Sequence, residues 1–229
     1  MTLVGHLDEL RGRLLWALGS WAVAATICYY YTPHLLAVAR PHLIGKAELI
    51  FTAPAAAFFA YLQVAMVAGF FLACPIIIYQ VVMFVLPGLE PHERRYLFQL
   101  MPVGVILFVV GVTFGYYVVL PVTMKFFLSF STEDLRGMID IKSLVGWVLG
   151  ILAICGIIFQ LPLVLFFGAL IGFVRSEFLR KQRRMAIFLA FLISAIATPT
   201  PDAFTASVVA VPILLLFEGS LVLIRLIGK

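Results

Sequence analysis

Long uncharged apolar runs, separated by short polar stretches, dominate the chain. The apolar residues are continuous and do not follow the spacing of an amphipathic surface helix, which favours helices surrounded by lipid. The pattern predicts an all-α integral membrane protein that forms one polytopic domain over residues 1–229. Its six predicted transmembrane helices lie at about 14–32, 60–86, 97–124, 144–173, 185–197 and 205–224.

The last two runs differ from the first four. The run at 185–197 has thirteen residues, which make a helix only about 20 Å long. Glu218 interrupts the run at 205–224. We therefore expect these two segments to form a short hairpin that falls short of the far face and thins the bilayer locally.

Proline residues lie inside four of the predicted spans, at Pro75, Pro102, Pro162 and Pro212. Lipid cannot satisfy the carbonyl groups that a proline leaves unpaired, so neighbouring helices must do so. The sequence therefore predicts kinked helices that enclose a concave surface. Before the second span, residues 33–57 are predicted to form a long outer loop with a short interfacial helix.

The distribution of basic residues predicts the orientation. With the N-terminus inside, eleven of the sixteen Lys and Arg residues fall on the inner side and five on the outer side. Because positive charge is retained on the cytoplasmic side, both termini are expected to be cytoplasmic. The first run leads into further spans, so we interpret it as a retained helix and not as a removable signal peptide.

Composition excludes several other classes of protein. The chain is 64% hydrophobic and 12% charged, with a mean hydropathy of +1.14, which no soluble domain of this length could bury. The net charge of +5 comes from residues at segment ends, so it is a topology signal and does not indicate nucleic-acid binding. Three scattered cysteines in apolar runs predict neither a disulfide framework nor a metal site, and no cofactor is expected.

Two acidic residues near the predicted inner face are candidate binding groups. Glu9 lies four residues before Arg13 in an amphipathic lead-in helix, where a simple surface ion pair would also explain it. Glu93 follows Pro91, a residue suited to the first turn of a helix. The helix dipole alone could account for an acid at that position.

Two polar residues lie within apolar runs. Glu218 is a functional-site candidate by its depth, although Arg225 indicates that it is only about two turns from the inner interface. Gln160 precedes Pro162 and would serve equally as a helix-to-helix hydrogen bond. Both structural and functional interpretations stay open for these two side chains.

Several motifs stand out along the chain. They are His6-Leu7-x-Glu9-Leu10-Arg11-x-Arg13, the segment 51–59 after Pro41, Phe84-x-x-Pro87-x-Leu89-x-x-His92-Glu93-Arg94-Arg95, Phe159-x-x-Pro162, Thr198-Pro199-Thr200-Pro201-Asp202 and Phe217-Glu218. Their order and spacing resemble the TatC family, the multi-spanning core of the twin-arginine protein translocase. The resemblance covers essentially the whole chain, from residue 6 to residue 218.

The resemblance implies a receptor for signal peptides that bear consecutive arginines on folded cargo, located in a bacterial or archaeal cytoplasmic membrane. It implies single-span TatA- and TatB-type partners, transport driven by the proton motive force, and homo-oligomers within the complex. The implied signal-peptide site comprises Glu9, Glu93, Arg11, Phe84, Pro87, Leu89 and His92. The implied partner-binding or intramembrane polar residues are Gln160, Thr198, Asp202, Thr205 and Glu218.

The chain departs from the family pattern at two positions. Gln160 stands where many relatives carry Glu, and because Gln does not titrate, a proton-linked role there is not expected. Ala206 stands where some relatives carry a polar residue, so Thr198 and Thr205 are the expected sources of polarity near the turn.

Two other functions fit the sequence less well. An ion-coupled secondary transporter of a small solute would show inverted repeats and charged mid-span sites in both halves. An intramembrane enzyme would place a nucleophile and base, or a metal cluster, at membrane depth, whereas His6, His34, His42 and His92 all lie outside the predicted spans. A non-catalytic receptor subunit is therefore the expected function.

Overall fold

A computed structural model of the chain describes residues 3–44, 49–88, 91–130, 138–173, 176–197 and 202–226. The described part is almost entirely helical. Its helices are α1 (Leu3–Ile44), α2 (Ala56–Val85), α3 (Pro91–Phe114), α4 (Leu120–Leu128), α5 (Ile141–Ile158), α6 (Leu161–Leu170), α7 (Ser176–Lys181), α8 (Arg183–Ala197) and α9 (Ala203–Leu226). A 3₁₀ turn at Leu86–Gly88 follows α2, and a π-helical segment at Gly115–Val119 joins α3 to α4.

Five helical stretches of the described chain are long and apolar enough to cross a membrane. They are Gly5–Ala39, Ala56–Gly88, Arg94–Leu128, Ile141–Leu170 and Ala203–Arg225. The predicted span at 185–197 corresponds to α8, whose 15 residues extend only about 22 Å. A sixth crossing by α8 therefore stays a prediction.

The last helix is longer than the sequence predicted. Helix α9 has 24 residues and extends about 36 Å, a length sufficient to cross a bilayer. It begins at Ala203 because Asp202 caps it, accepting a hydrogen bond from the Thr205 amide at 2.7 Å. The helix continues through Glu218, whose side chain pairs with Arg183 of α8.

The prediction of an outer loop at 33–57 is wrong for the first part of that range. Helix α1 continues without a break through Pro33 and Pro41 to Ile44, with 42 residues and a length of about 63 Å. Each proline removes one helical hydrogen bond, that of Pro33 to the Tyr29 carbonyl, and the helix nevertheless continues past both. Apolar contacts of Leu36 and Ala39 with the rest of the bundle favour this continuation.

The fourth predicted span contains a break. Helix α5 ends at Ile158 and α6 begins at Leu161. Pro162 explains the interruption, because its ring clashes with the carbonyl of Ile158 and it lacks an amide proton to donate. The other predicted proline positions, Pro75, Pro102 and Pro212, lie inside continuous helices.

Two chain connections meet at one end of the bundle. Leu49–Ile50 and Ile139–Asp140 form a short parallel ladder. The Asp140 carboxylate accepts hydrogen bonds from the amide and hydroxyl of Ser143 at 3.0 and 2.9 Å, and from the Thr52 hydroxyl at 3.1 Å. These donors, the Ser143 amide first, hold the pKa of Asp140 below its usual range. Asp140 therefore caps α5 and ties it to the segment before α2.

Helices α1 and α2 approach each other closely at Gly69 and Ala25. A Cβ atom on Gly69 would lie 2.4 Å from the Ala25 Cα, so only glycine permits this approach. The Trp21 indole donates a hydrogen bond to the Met66 carbonyl at 2.8 Å in the same region. A second tight contact joins α3 to α5, where a Cβ on Gly111 would lie 2.6 Å from the Cys155 carbonyl oxygen.

Replacing Gly69 with alanine is therefore expected to destabilise the fold. Gly69→Ala forces α1 and α2 apart and should cost about 1–3 kcal/mol, as overpacking does in other cores. Gly150→Ala is the matched control, because no atom lies within 4 Å of its added Cβ. Thermal unfolding in detergent should show a lower midpoint for Gly69→Ala only. Equal midpoints for the two variants would contradict the contact.

Candidate functional site

The first turns of α1 and the last turns of α2 form the candidate site. The two helices run antiparallel, so the start of α1 lies beside the end of α2. The His6 and Phe84 rings stack there, with centroids 4.4 Å apart and an interplanar angle of 15°. The N-terminal motif and the beginning of the first inner loop, 78 residues apart in sequence, are thus neighbours in space.

Glu9 is held in this site by Arg13. Both Nε and Nη2 of Arg13 donate hydrogen bonds to Glu9 Oε1, at 2.9 and 2.6 Å. Arg13 Nη1 also donates to the Gln80 side-chain oxygen on α2, at 3.4 Å. The ion pair expected from the four-residue spacing is therefore present, and it is connected to the second helix.

The second carboxylate oxygen of Glu9, Oε2, is in a different environment from Oε1. Glu9 Oε2 is buried and has no hydrogen-bond partner among the described residues. The Glu9 side chain as a whole is only 19% exposed. A buried carboxylate oxygen without a partner costs free energy, which a cationic donor placed beside it would recover. Glu9 can therefore accept one further hydrogen bond at Oε2.

The other predicted signal-peptide residues are partly described. Arg11 is exposed, whereas Phe84 and Pro87 are half-buried at the end of α2. His92 and Glu93 belong to the first turn of α3, on the far side of the 3₁₀ turn from α2. Their side chains, and the whole of Leu89, lie outside the described residues.

Sequence reasoning missed the role of Gln80. Its side chain links Arg13 to α2 and so fixes the position of the Glu9–Arg13 pair. The signal that could have identified it is its polar amide within the largely apolar run at 60–86, where Gln63 is the other amide side chain. In a membrane helix such a residue usually contacts another helix.

Gln160 lies at the break between α5 and α6. Its side-chain nitrogen donates a hydrogen bond to the Gly104 carbonyl of α3 at 3.1 Å. Gln160 therefore makes the helix-to-helix hydrogen bond that the sequence allowed as one of its two interpretations. As a neutral amide, it cannot carry a proton.

Glu218 and the turn before α9 form a third polar region. Glu218 pairs with Arg183 at 2.6 Å, and both side chains are almost half exposed. Asp202 caps α9, and the Thr205 side chain is completely buried. Thr198 lies outside the described residues. Within the described ranges, no group of three or more His, Cys, Asp or Glu side chains could hold a metal ion.

Comparison with known proteins places the chain in one family. A family model described as Sec-independent protein translocase protein (TatC) matches residues 5–212. Sec-independent protein translocase protein TatC of Desulforapulum autotrophicum is 37% identical over 228 residues, which cover 98% of this chain and 84% of the relative. The TatC protein of Carboxydothermus hydrogenoformans is 33% identical over 228 residues, with coverage of 99% and 94%.

Solved structures agree with the sequence matches. A crystal structure of the twin-arginine translocase receptor TatC superposes with a TM-score of 0.87 at 31% identity, covering 98% of this chain and 100% of the other. A second crystal structure of that receptor, in the detergent DDM, gives the same TM-score at 30% identity. The chain therefore belongs to the TatC family of Sec-independent protein translocase proteins and is a multi-pass protein of the inner membrane.

Proposed function

We propose that this chain is the signal-peptide receptor and core subunit of a twin-arginine translocase. The observation that carries the proposal is Glu9 Oε2 at the junction of α1 and α2, a buried carboxylate oxygen that has no partner in the described part of the chain. The solved structure that superposes on this fold is itself described as a twin-arginine translocase receptor. The proposed ligand is the pair of consecutive arginines in the signal peptide of a folded protein.

The geometry favours arginine as the ligand. A guanidinium group offers several planar N–H donors that can reach one carboxylate oxygen and a second acceptor at once, whereas a lysine ammonium group is a compact point charge. Glu9 Oε1 is already occupied by Arg13, so Oε2 would receive one donor from the first arginine. A second arginine requires a second acid.

Glu93 is the proposed second acid. It is the third residue of α3. Only residues 86–90 separate α3 from the end of α2, where Phe84 contacts His6. Its backbone position in the first turn also favours an ionised carboxylate, because the helix dipole is positive there. Arg11, Phe84, Pro87, Leu89 and His92 would complete the proposed surface around the two acids.

Recognition in this proposal is binding and positioning without bond chemistry. The chain would act with TatA- and TatB-type single-span partners, as a homo-oligomer within the complex, and transport would be driven by the proton motive force.

The exposed apolar side chains of α8, among them Phe188, Leu192 and Ile196, offer a helix face to lipid or to such a partner. Gln160, Thr198, Asp202, Thr205 and Glu218 stay the proposed polar groups for partner contacts.

The alternative of a small-solute transporter is not favoured. Gln160 is neutral and donates to a backbone carbonyl, and Glu218 is neutralised by Arg183. An ion-coupled transporter needs charged or unwound sites near the membrane midplane in both halves. The polar groups of the described spans do not form such a pair of sites.

Neutralising either acid is expected to weaken binding of a twin-arginine peptide. Glu9→Gln and Glu93→Gln each remove a charge-assisted hydrogen bond, so affinity should fall about ten- to hundredfold. Glu177→Gln, an exposed acid on α7, is the matched control. Fluorescence titration of the purified chain with a labelled peptide measures the effect. Wild-type affinity in both site variants would rule out the assignment.

We further propose six crossings with both termini in the cytoplasm. Two features support this arrangement. The ladder Leu49–Ile50 with Ile139–Asp140 joins the two predicted outer connections at one end of the bundle. His6 contacts Phe84 at the other end, where the N-terminus and the first inner loop are predicted to meet.

Single-cysteine labelling tests this topology. The test uses a chain whose Cys28, Cys74 and Cys155 are replaced and a thiol reagent that cannot cross the membrane. When the reagent is added outside intact cells, it should label Lys46→Cys. It should label Lys181→Cys only after the membrane is opened, because eleven of the sixteen basic residues mark that side as cytoplasmic. Labelling of both positions from the same side would contradict the proposed crossings.

A further inference from the structure

A cavity of about 700 Å³ lies between α1, α2 and α5, away from the Glu9 site. Its walls are residues 33–39 of α1, one face of α2 from Tyr61 to Phe71, and one face of α5 from Ile141 to Leu152. The proposed signal-peptide and partner residues do not line it. The proposed function therefore leaves the cavity without a role.

The last turns of α1 form the roof of this cavity. Leu36 packs against the cluster of Val64 and Val145, which joins α2 to α5. Ala39 packs against the main core, which includes Val119 and Leu120 beside α4. The end of α1 thus extends from α2 towards α4, and the cavity lies beneath it.

The lining is apolar except at three positions. Only His34, Tyr61 and Tyr116 among the lining residues carry polar side-chain atoms. His34 belongs to the roof, and Tyr61 is in the second turn of α2. The surface end of the cavity therefore offers hydrogen-bonding groups, while most of its wall offers only hydrocarbon contact.

The dimensions of the cavity select its occupant. The lining face of α5 from Ile141 to Leu152 extends about 16 Å, close to half of the roughly 30 Å hydrocarbon core of a bilayer. A single extended hydrocarbon chain fits this length and matches the apolar wall.

We propose that this cavity binds one acyl chain of a membrane phospholipid, with the headgroup beside His34 and Tyr61. The bound chain would fill the space beneath the roof and hold the end of α1 against α2 and α5. The proposal rests on the membrane location of the protein and is independent of signal-peptide recognition.

Filling the cavity tests the proposal. Ala68 lines the cavity, so the larger side chain of Ala68→Phe would overlap with a bound chain and exclude it sterically, as overpacking does in other filled sites. Leu72→Phe is the matched control, because Leu72 is 58% exposed on the same helix and does not line the cavity. The probe is phosphatidylglycerol with long saturated chains, titrated against the full detergent-purified chain by native mass spectrometry.

The expected result is one tightly bound phospholipid per wild-type and Leu72→Phe chain, and at least about tenfold weaker binding to Ala68→Phe because of steric overlap. Equal lipid affinity in all three would overturn the proposal. If Ala68→Phe fails to fold, Ala37→Phe fills the same cavity from the exposed roof and gives the same two outcomes.

Peptide binding in the same variants separates this proposal from the receptor function. Twin-arginine peptide affinity should be unchanged in Ala68→Phe, because the cavity and the Glu9 site share no residues. Loss of peptide binding with unchanged lipid binding would show that the cavity takes the peptide, and would overturn the lipid assignment.

Discussion

The close approach of α1 and α2 is the constraint on which the rest of the structure depends. Gly69 lets the two backbones meet at Ala25, where a single methyl group would force them apart. This contact fixes the antiparallel alignment over the whole length of α2. At one end it places His6 against Phe84, and at the other it places the end of α1 over the apolar cavity. Both proposed binding sites therefore follow from one helix pair.

The same helix pair gives Glu9 its chemical character. An isolated glutamate–arginine pair on a helix surface would contribute little, because water competes for both groups. Here Gln80 of α2 anchors Arg13, and Arg13 occupies only one oxygen of Glu9. The remaining oxygen is buried and unpaired among the described residues. A site arranged in this way favours a cation that can donate to Oε2 and to a second acceptor at once, which the planar guanidinium group of arginine does better than a lysine ammonium group.

Much of the fold follows from sequence patterns, because long apolar runs have few alternatives to membrane helices. The spanning helices near 60–86, 97–124 and 144–173 were predicted in this way. The continuation of α1 through Pro33 and Pro41 was not, since it depends on tertiary contacts of Leu36 and Ala39 that no local pattern reveals. For the site, spacing predicted the Glu9–Arg13 pair. The contribution of Gln80 required the alignment of two helices and so was visible only in three dimensions.

A double-mutant cycle between Glu9 and the signal peptide tests the central claim most directly. The affinities of the wild-type chain and Glu9→Gln are measured for a peptide with two arginines and for one in which the first arginine is replaced by glutamine. If Glu9 Oε2 accepts a hydrogen bond from that arginine, the two changes should be non-additive, with a coupling of about 1.5 kcal/mol or more, as in other close charge pairs. Additive losses would contradict the claim that Glu9 reads the arginine.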